Sequence, residues 1–282
     1  MNANIILIGC TGFIGKSIIH NLGKKVISYS SKNLNLLKKK NIKKKAKKFK
    51  NSIIIYAAGI KRTRGDTSKN FFKNLVLFNN LFSFFFKNKP KKVIFLSSAE
   101  VYGNYNKKKK IDEKTALDPV TQYSMAKIIQ EKTIKFFSTK LGYEYIILRI
   151  PGVYGFDKEN QNIISKLILS LSKKNTFIFN TTGNELRDYI FVNDIGKFIS
   201  YIIKKNIKNL TINLATGKSY KIRNIVKMIE KNYKKKLSIK HNLKNYSNEY
   251  SLSFNNSLIK KKLPNFNLTN LNEFDFKKEF SK

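Results

Sequence analysis

Cysteine is almost missing from this chain: Cys10 stands alone among 282 residues. An intrachain disulfide is excluded, and a reducing, cytoplasmic setting fits. Cys10 lies in a glycine-rich turn that tolerates a small residue, and no second thiol exists to resolve a redox intermediate. Histidine occurs only as His20 and His241, far apart and without a cysteine cluster, so no metal site is expected. No apolar run reaches the roughly 18 residues that span a bilayer, which argues against a membrane partner. The start, Met1-Asn2-Ala3-Asn4, leads at once into a strand pattern and leaves no room for a signal peptide. Carboxylates are few, 17 against 57 lysines and arginines, and none precedes Asp66.

The resulting net charge of +40 suggests a nucleic-acid binder until its make-up is read. Arginine occurs only at Arg62, Arg64, Arg149, Arg187 and Arg223; the other bases are lysines, beside abundant asparagine, isoleucine and phenylalanine. These are the products of A/T-rich codons, so genome composition is a sufficient cause. Specific readers of nucleic acid favour the planar fork of arginine. The expectation is no specific nucleic-acid partner, with sequence-independent attraction of RNA at low salt. At 41% hydrophobic and 26% charged, the chain suits a soluble globular protein with a substantial core.

What is present is organised around Ile5-Ile6-Leu7-Ile8-Gly9-Cys10-Thr11-Gly12-Phe13-Ile14-Gly15. An apolar run, a turn with glycines three apart and a helical pattern (Phe13, Ile14, Ile18, Ile19, Leu22) form the strand–turn–helix opening of a dinucleotide-binding unit. Gly9 is expected to turn the chain and Gly12 to clear space for a pyrophosphate. Gly15 lets the helix pack closely, and its N-terminus faces the phosphates. Further strands are read at Lys25–Tyr29, Ser52–Tyr56, Lys92–Leu96 and Tyr145–Arg149. Between them run a lysine-rich solvated crossover at 36–50, a helix at Asn70–Phe86 that is apolar nearly all round, buried or dimer-forming, and a helix from Asp118-Pro119 to Leu141 stopped by Gly142. The alternation predicts an α/β fold, a Rossmann-like doubly wound parallel sheet over 1–155. A smaller mixed α/β substrate lobe follows over 156–282, with 186–215 packing back on the first domain. Its elements are a helix near 163–171, a strand at 176–180, a helix at 193–204 and a strand at 210–214.

Chemistry gathers where such a sheet places its site, beyond the strand ends. Ser97-Ser98-Ala99-Glu100-Val101-Tyr102-Gly103 follows the fourth strand, and Tyr123 and Lys127 share a helix face at a spacing of four. A lysine near a phenol is expected to lower its pKa and let it trade a proton with a hydroxyl or carbonyl, while a serine hydroxyl holds the same oxygen.

These motifs, with Ala57-Ala58, Asn74, Leu148-Arg149, Val153-Tyr154-Gly155 and Leu186-Arg187-Asp188-Tyr189, make the chain similar to extended short-chain dehydrogenase/reductases of the NAD-dependent epimerase/dehydratase family, which act on nucleotide sugars. The resemblance implies Tyr123 as catalytic acid/base, Lys127 as also holding the nicotinamide ribose and Ser98 as the orienter of substrate oxygen. It implies cofactor contacts at Gly9, Thr11, Gly12, Phe13, Ile14, Gly15, Ala57, Ala58 and Asn74. Arg187 matches the arginine that grips the nucleotide diphosphate, and Asp194 a structural acid. Three departures stand out. Gly152 replaces the usual asparagine, and Ala99 replaces the acid or serine before the dehydratase base. Glu100 keeps that base's position, either as a catalytic residue or as a polar residue without a role. Third, no acid ends the second strand; Ser30, Ser31 and Lys32 stand there, suited to a 2′-phosphate, so NADP(H) is favoured with NAD(H) still open. The implied reaction is 4-epimerisation or keto-sugar reduction by a cytoplasmic homodimer. The alternatives are a 4,6-dehydratase using Glu100, or a non-catalytic dinucleotide- or RNA-binding relative.

Overall fold

A computed structural model describes residues 3–105, 109–156, 162–173, 176–242 and 250–280. In chain order the elements begin β1 (Ile5–Ile8), α1 (Phe13–Leu22), β2 (Val26–Tyr29), α2 (Lys39–Lys45), β3 (Ile53–Tyr56), α3 (Ser68–Phe82), β4 (Lys92–Ser98), α4 (Gln122–Leu141) and β5 (Glu144–Ile150). They continue with β6 (Gly152–Tyr154), α5 (Ile163–Lys173), β7 (Thr176–Phe179), β8 (Leu186–Phe191), α6 (Val192–Lys204) and β9 (Leu210–Asn213). The last are β10 (Ser219–Lys221), α7 (Ile222–Tyr233), β11 (Ser238–His241), α8 (Ser257–Lys262) and α9 (Phe276–Phe280).

The chain divides into two compact units. The first comprises Met1–Gly103, Ala116–Arg149 and Ile195–Ile212. Its six-stranded sheet has the order β2-β1-β3-β4-β5-β9. β1 pairs in parallel with β2 on one side and β3 on the other, aligning Ile5 with Val26 and with Ile53. Strand order therefore reverses beside β1, the place where open α/β sheets leave a crevice for ligands. β3 and β4 are buried throughout, as strands covered on both faces must be. An aromatic core of Tyr56, Phe78, Phe82, Phe85 and Phe95 lies against them. This is the Rossmann-like α/β architecture the alternation of patterns predicts.

Several boundaries differ from the sequence reading, each for a local reason. The helix expected at Asn70–Phe86 begins at Ser68, because the Thr67 hydroxyl accepts the Asn70 N–H, and ends at Phe82. Beyond it, Phe84 and Phe85 bond carbonyls three residues back and tighten the chain. Its surface is less uniform than its composition: Phe72 and Val76 are exposed while Phe78 and Phe82 are core. The helix expected from Asp118 starts at Gln122, where Thr121 and Ser124 cap each other. Asp118 instead binds Val101 through its N–H, and its carbonyl lies so near Gly103 that a Cβ there would sit 1.6 Å from the oxygen. In the lysine-rich crossover, Ile42, Ala46 and Phe49 turn inward while the lysines face solvent.

The second unit comprises Asn104–Thr115, Ile150–Asp194 and Asn213–Lys282. β8 lies between antiparallel β10 and parallel β6, and β11 pairs in parallel with β7. α7 buries Ile222, Ile225, Val226 and Ile229, one helical stripe, in a core shared with α5. Asp194 accepts the Thr269 N–H at 2.6 Å. Buried Asp188 accepts bonds from the Thr216 N–H and hydroxyl and the Gly217 N–H, and burial pushes its carboxyl up to about 6.

Candidate active site

The turn after β1 is built by its glycines. Gly9 has φ +96°, a region that L side chains avoid, and a Cβ there would lie 2.7 Å from the Ala57 carbonyl carbon. Gly15 is closed to any side chain, since its Cβ would meet the Gly9 carbonyl oxygen at 2.2 Å. Gly15 thus packs the helix against the turn itself. Gly12 is different: it is exposed, and its Cβ would find only the Gly9 oxygen, at an ordinary 3.5 Å. No fold constraint demands glycine there, so the surface above the turn stays open. Gly12 heads α1 without a side-chain cap, and no acid occupies the first turn. These N–H groups and the helix dipole suit an anionic diphosphate, and exposed Lys16 adds a cation. Thr11 is exposed beside them, and Phe13 and Ile14 are half-buried on the first turn.

The Gly9 and Cys10 N–H groups bind the Tyr29 carbonyl, tying the turn to the end of β2. Ser30, Ser31 and Lys32 follow directly. The Ser30 hydroxyl closes a local turn, accepting the Lys32 N–H and donating to Asn33, whereas the Ser31 and Lys32 side chains are exposed. Ala57 bonds the Ile8 carbonyl, bringing Ala57-Ala58 against Gly9. The Asn74 amide holds both backbone groups of Ile60, at 2.7 and 3.1 Å, so its direct contacts are with the loop after β3.

Ser98 ends β4, and its hydroxyl meets two neighbours. It accepts the Glu100 N–H at 3.2 Å and lies close enough to the Tyr123 phenol to act on its pKa. The Glu100 carboxylate lies 3.0 Å from Arg62 Nε. Burial raises the Tyr123 pKa, Glu100 adds to the rise, and the nearby Ser98 hydroxyl and the Arg62 charge oppose it. The expected lowering by Lys127 is therefore corrected. Lys127 Nζ donates to the Leu96 carbonyl at 2.8 Å and stands 5.7 Å from the centre of the Tyr123 ring. Burial lowers Lys127 itself to about 8, with Glu131 pulling the other way. Tyr123 is thus held as a neutral phenol, able to give a proton to an oxygen brought between it and Ser98.

Beneath these groups is a buried network. Glu131 lies one turn beyond Lys127, accepts the Ser97 hydroxyl at 2.5 Å and pairs with Arg149 at 2.8 Å. Arg149 also donates to the Tyr102 hydroxyl at 2.9 Å. As site residues, Arg62, Asp66 and Glu131 escaped the sequence reading. Glu131 had a signal, continuing the Tyr-x3-Lys face by four residues; Arg62 and Asp66 had only their rarity.

In the second unit, Arg187 on β8 donates to the Leu186 carbonyl at 3.0 Å and to the Tyr250 carbonyl, and its guanidinium lies 4.8 Å from the Tyr250 ring centre. Gly152 has a steric cause. A Cβ there would fall 2.5 Å from the Tyr189 ring, leaving no room for asparagine. Among the described residues, no group of histidine, cysteine and acidic side chains could hold a metal, and no helix is long and apolar enough to cross a membrane.

Residues 5–215 match the NAD dependent epimerase/dehydratase family. The uncharacterized UDP-glucose epimerase YtcB of Bacillus subtilis is 29% identical over 139 residues, 49% of this chain and 43% of that protein. The chain thus spans less than half the length of this relative. The GDP-6-deoxy-D-talose 4-dehydrogenase of Aggregatibacter actinomycetemcomitans is 26% identical over 233 residues, 80% of this chain and 78% of the other. The structure of RMD from Pseudomonas aeruginosa, complexed with NADPH, superposes with a TM-score of 0.84 over 96% of both chains at 15% identity, a likeness of fold.

Proposed function

Because this chain belongs to the NAD-dependent epimerase/dehydratase family, we propose that it is a nucleotide-sugar oxidoreductase, acting as a 4-epimerase or a keto-sugar reductase. The observation that carries this reading is the placing of Tyr123 beside Ser98 at the end of β4, with Lys127 one turn further along the same helix, its Nζ 5.7 Å from the Tyr123 ring centre. Tyr123 gives or takes the proton on a sugar oxygen, Ser98 orients that oxygen, and Lys127 supplies a nearby cation. A bound nicotinamide supplies the hydride acceptor or donor. Gly9, Thr11, Gly12, Phe13, Ile14 and Gly15 would cradle its diphosphate, with Ala57, Ala58 and Asn74 along the strand ends. Ser30, Ser31 and Lys32 favour NADP(H) over NAD(H). The lobe over 156–282 would carry the sugar nucleotide, with Arg187 on its diphosphate.

Exposed Phe72 and Val76 on α3, and Met125, Ile129 and Phe136 on α4, form apolar stripes at helical spacing. They support a homodimer, which sedimentation at micromolar concentration tests: a monomer there removes it. The lone cysteine supports a cytoplasmic protein, and the lysine-dominated charge supports no specific nucleic-acid partner. A panel of UDP-, GDP- and dTDP-sugars with each cofactor, with product identification, tests the main reading. Epimerised or reduced sugar is the expected product, and no turnover of any of them would overturn it. The dehydratase reading needs Glu100 as a free base, and its ion pair with Arg62 speaks against that.

A further inference from the structure

The loop between β3 and α3 is secured at three points before it reaches the site. Asn74 holds Ile60 by its N–H and carbonyl. Asn70 donates to the carbonyls of Arg64 and Gly65 at 3.2 and 2.9 Å. Asp66 accepts the N–H groups of Gln122 and Tyr123 at the head of α4. Arg62 lies between these anchors and brings its guanidinium to within 3.0 Å of Glu100, whose own N–H is fixed by Ser98. The Glu100 backbone is therefore held by Ser98, and the carboxylate beside Tyr123 is met by Arg62.

Oxidising a sugar carbon to a ketone makes the C–H on the adjacent carbon acidic. A free carboxylate there can take that proton, breaking C–H and forming O–H on the glutamic acid. The electron pair moves into a carbon–carbon double bond and expels hydroxide from the next carbon, which leaves with the proton as water. Epimerisation and simple reduction require that this elimination be withheld. We propose that Arg62 is the positioning residue that withholds it, by tethering the Glu100 carboxylate away from the carbon adjacent to the one oxidised. The inference rests on the nucleotide-sugar reading above, and it gives Glu100 the role of a tethered anion in place of a base. The guanidinium is a fitting partner, since it brings a positive charge to within 3.0 Å of the carboxylate.

The test uses the full chain as wild type, Arg62→Leu, Arg62→Lys and Arg62→Leu/Glu100→Gln. Each is incubated in heavy water with UDP-glucose, UDP-N-acetylglucosamine and a GDP-hexose, with either cofactor. Deuterium at the carbon adjacent to the reacting one, and any dehydrated sugar, are read by mass spectrometry and NMR. Wild type should show background wash-in and Arg62→Leu at least about tenfold more per turnover. Arg62→Lys, which keeps the charge, and the double variant should return to background. In parallel, carbodiimide with an amine labels reachable carboxyls, and Glu100 should react several-fold faster in Arg62→Leu than in wild type, with Arg62→Lys protected. Equal labelling of Glu100 in wild type and Arg62→Leu overturns the proposal whether or not a sugar is turned over. So does wash-in at the wild-type level in an active Arg62→Leu, or wash-in that survives Glu100→Gln. If wild type turns over none of the sugars, the nucleotide-sugar reading fails, and the labelling result alone decides the tether.

Discussion

The Asp66 carboxylate accepts the backbone N–H of Tyr123 at 2.9 Å, and with it that of Gln122 at 3.2 Å. A residue 57 positions earlier in sequence thus satisfies two of the orphan donors at the head of α4. Its negative charge also complements the helix dipole. Thr121 and Ser124 cap the same end reciprocally, so the turn carrying Tyr123 is fixed by three side chains.

Asp66→Ala should therefore destabilise the fold by about 1 kcal/mol, the usual worth of such a cap. Turnover should fall further than this loss of stability explains, because the backbone that carries the phenol is no longer held. Asp66→Asn keeps an acceptor and should recover part of both. Urea unfolding at low and high salt, beside turnover, checks it. A stability loss without any change in turnover would make Asp66 a cap and nothing more.

Tyr123→Phe removes the phenol proposed to carry the proton and spares the turn after β1. Turnover should drop by roughly two to four orders of magnitude, the range for general acid–base catalysis, while cofactor affinity measured by calorimetry stays within a few-fold. Retained turnover with an identified substrate would end the catalytic assignment.

Lys127 gives a pH prediction with a definite sign. Burial lowers it from 10.5 to about 8, so between those pH values the unfolded chain keeps a proton the native state has lost. Stability attributable to this residue should rise with pH across that window and stay at its lowest below about 8. Comparing wild type with Lys127→Met isolates it from the general relief of charge repulsion. In catalysis the cation is lost over the same range, so kcat/KM should decline above about pH 8. Lys127→Arg, which cannot deprotonate there, should lack that alkaline limb. The same limb in Lys127→Arg would assign it to another group.

The Glu131–Arg149 pair is fully enclosed, with side-chain exposures of 2% and 5%. Removing one partner strands a buried charge, at a cost of about 3–5 kcal/mol. Arg149→Met or Glu131→Gln alone should therefore unfold at much lower denaturant, and the double replacement should recover a large part of the loss. A double variant no better than the sum of the singles would show that the two do not act as a pair.

Much of this was legible because its signals are local. Ile5–Ile8 followed by Gly9, Gly12 and Gly15 states a strand, a turn and a helix in eleven residues. Ser52–Tyr56 and Lys92–Leu96 read as buried parallel strands from their unbroken apolar runs. The Ser98, Tyr123 and Lys127 set was visible from strand-end and helix-face positions. What stayed hidden depends on long-range contacts. Arg62 meets Glu100 and Asp66 meets Tyr123 only after β3 and β4 pair and α4 packs beside them. The phenol's raised pKa follows from burial, which spacing along a helix does not encode. The start of α4 was misplaced because Asp118-Pro119 looks like a helix head, whereas Asp118 is committed to Val101.

The proposed preference for NADP(H) rests on the end of β2. In dinucleotide folds an acid at this place accepts hydrogen bonds from the ribose hydroxyls and repels a 2′-phosphate. Here no carboxylate precedes Asp66, and the β2 strand runs straight into Ser30, Ser31 and Lys32. Ser30 is partly committed, because its hydroxyl closes the turn with Lys32 and Asn33. The exposed Ser31 hydroxyl and Lys32 ammonium are left to meet a phosphate, and a charge-assisted bond there is worth about 1.5–3 kcal/mol. NADP(H) should accordingly bind roughly ten- to a hundredfold more tightly than NAD(H). Lys32→Ala should narrow that ratio mainly by weakening NADP(H), and Ser31→Ala should narrow it less. Added salt should weaken the preference, since the site is exposed. Calorimetric titration of both cofactors into wild type and each variant reads these ratios directly. Equal or tighter binding of NAD(H) by wild type would mean that another group reads the ribose.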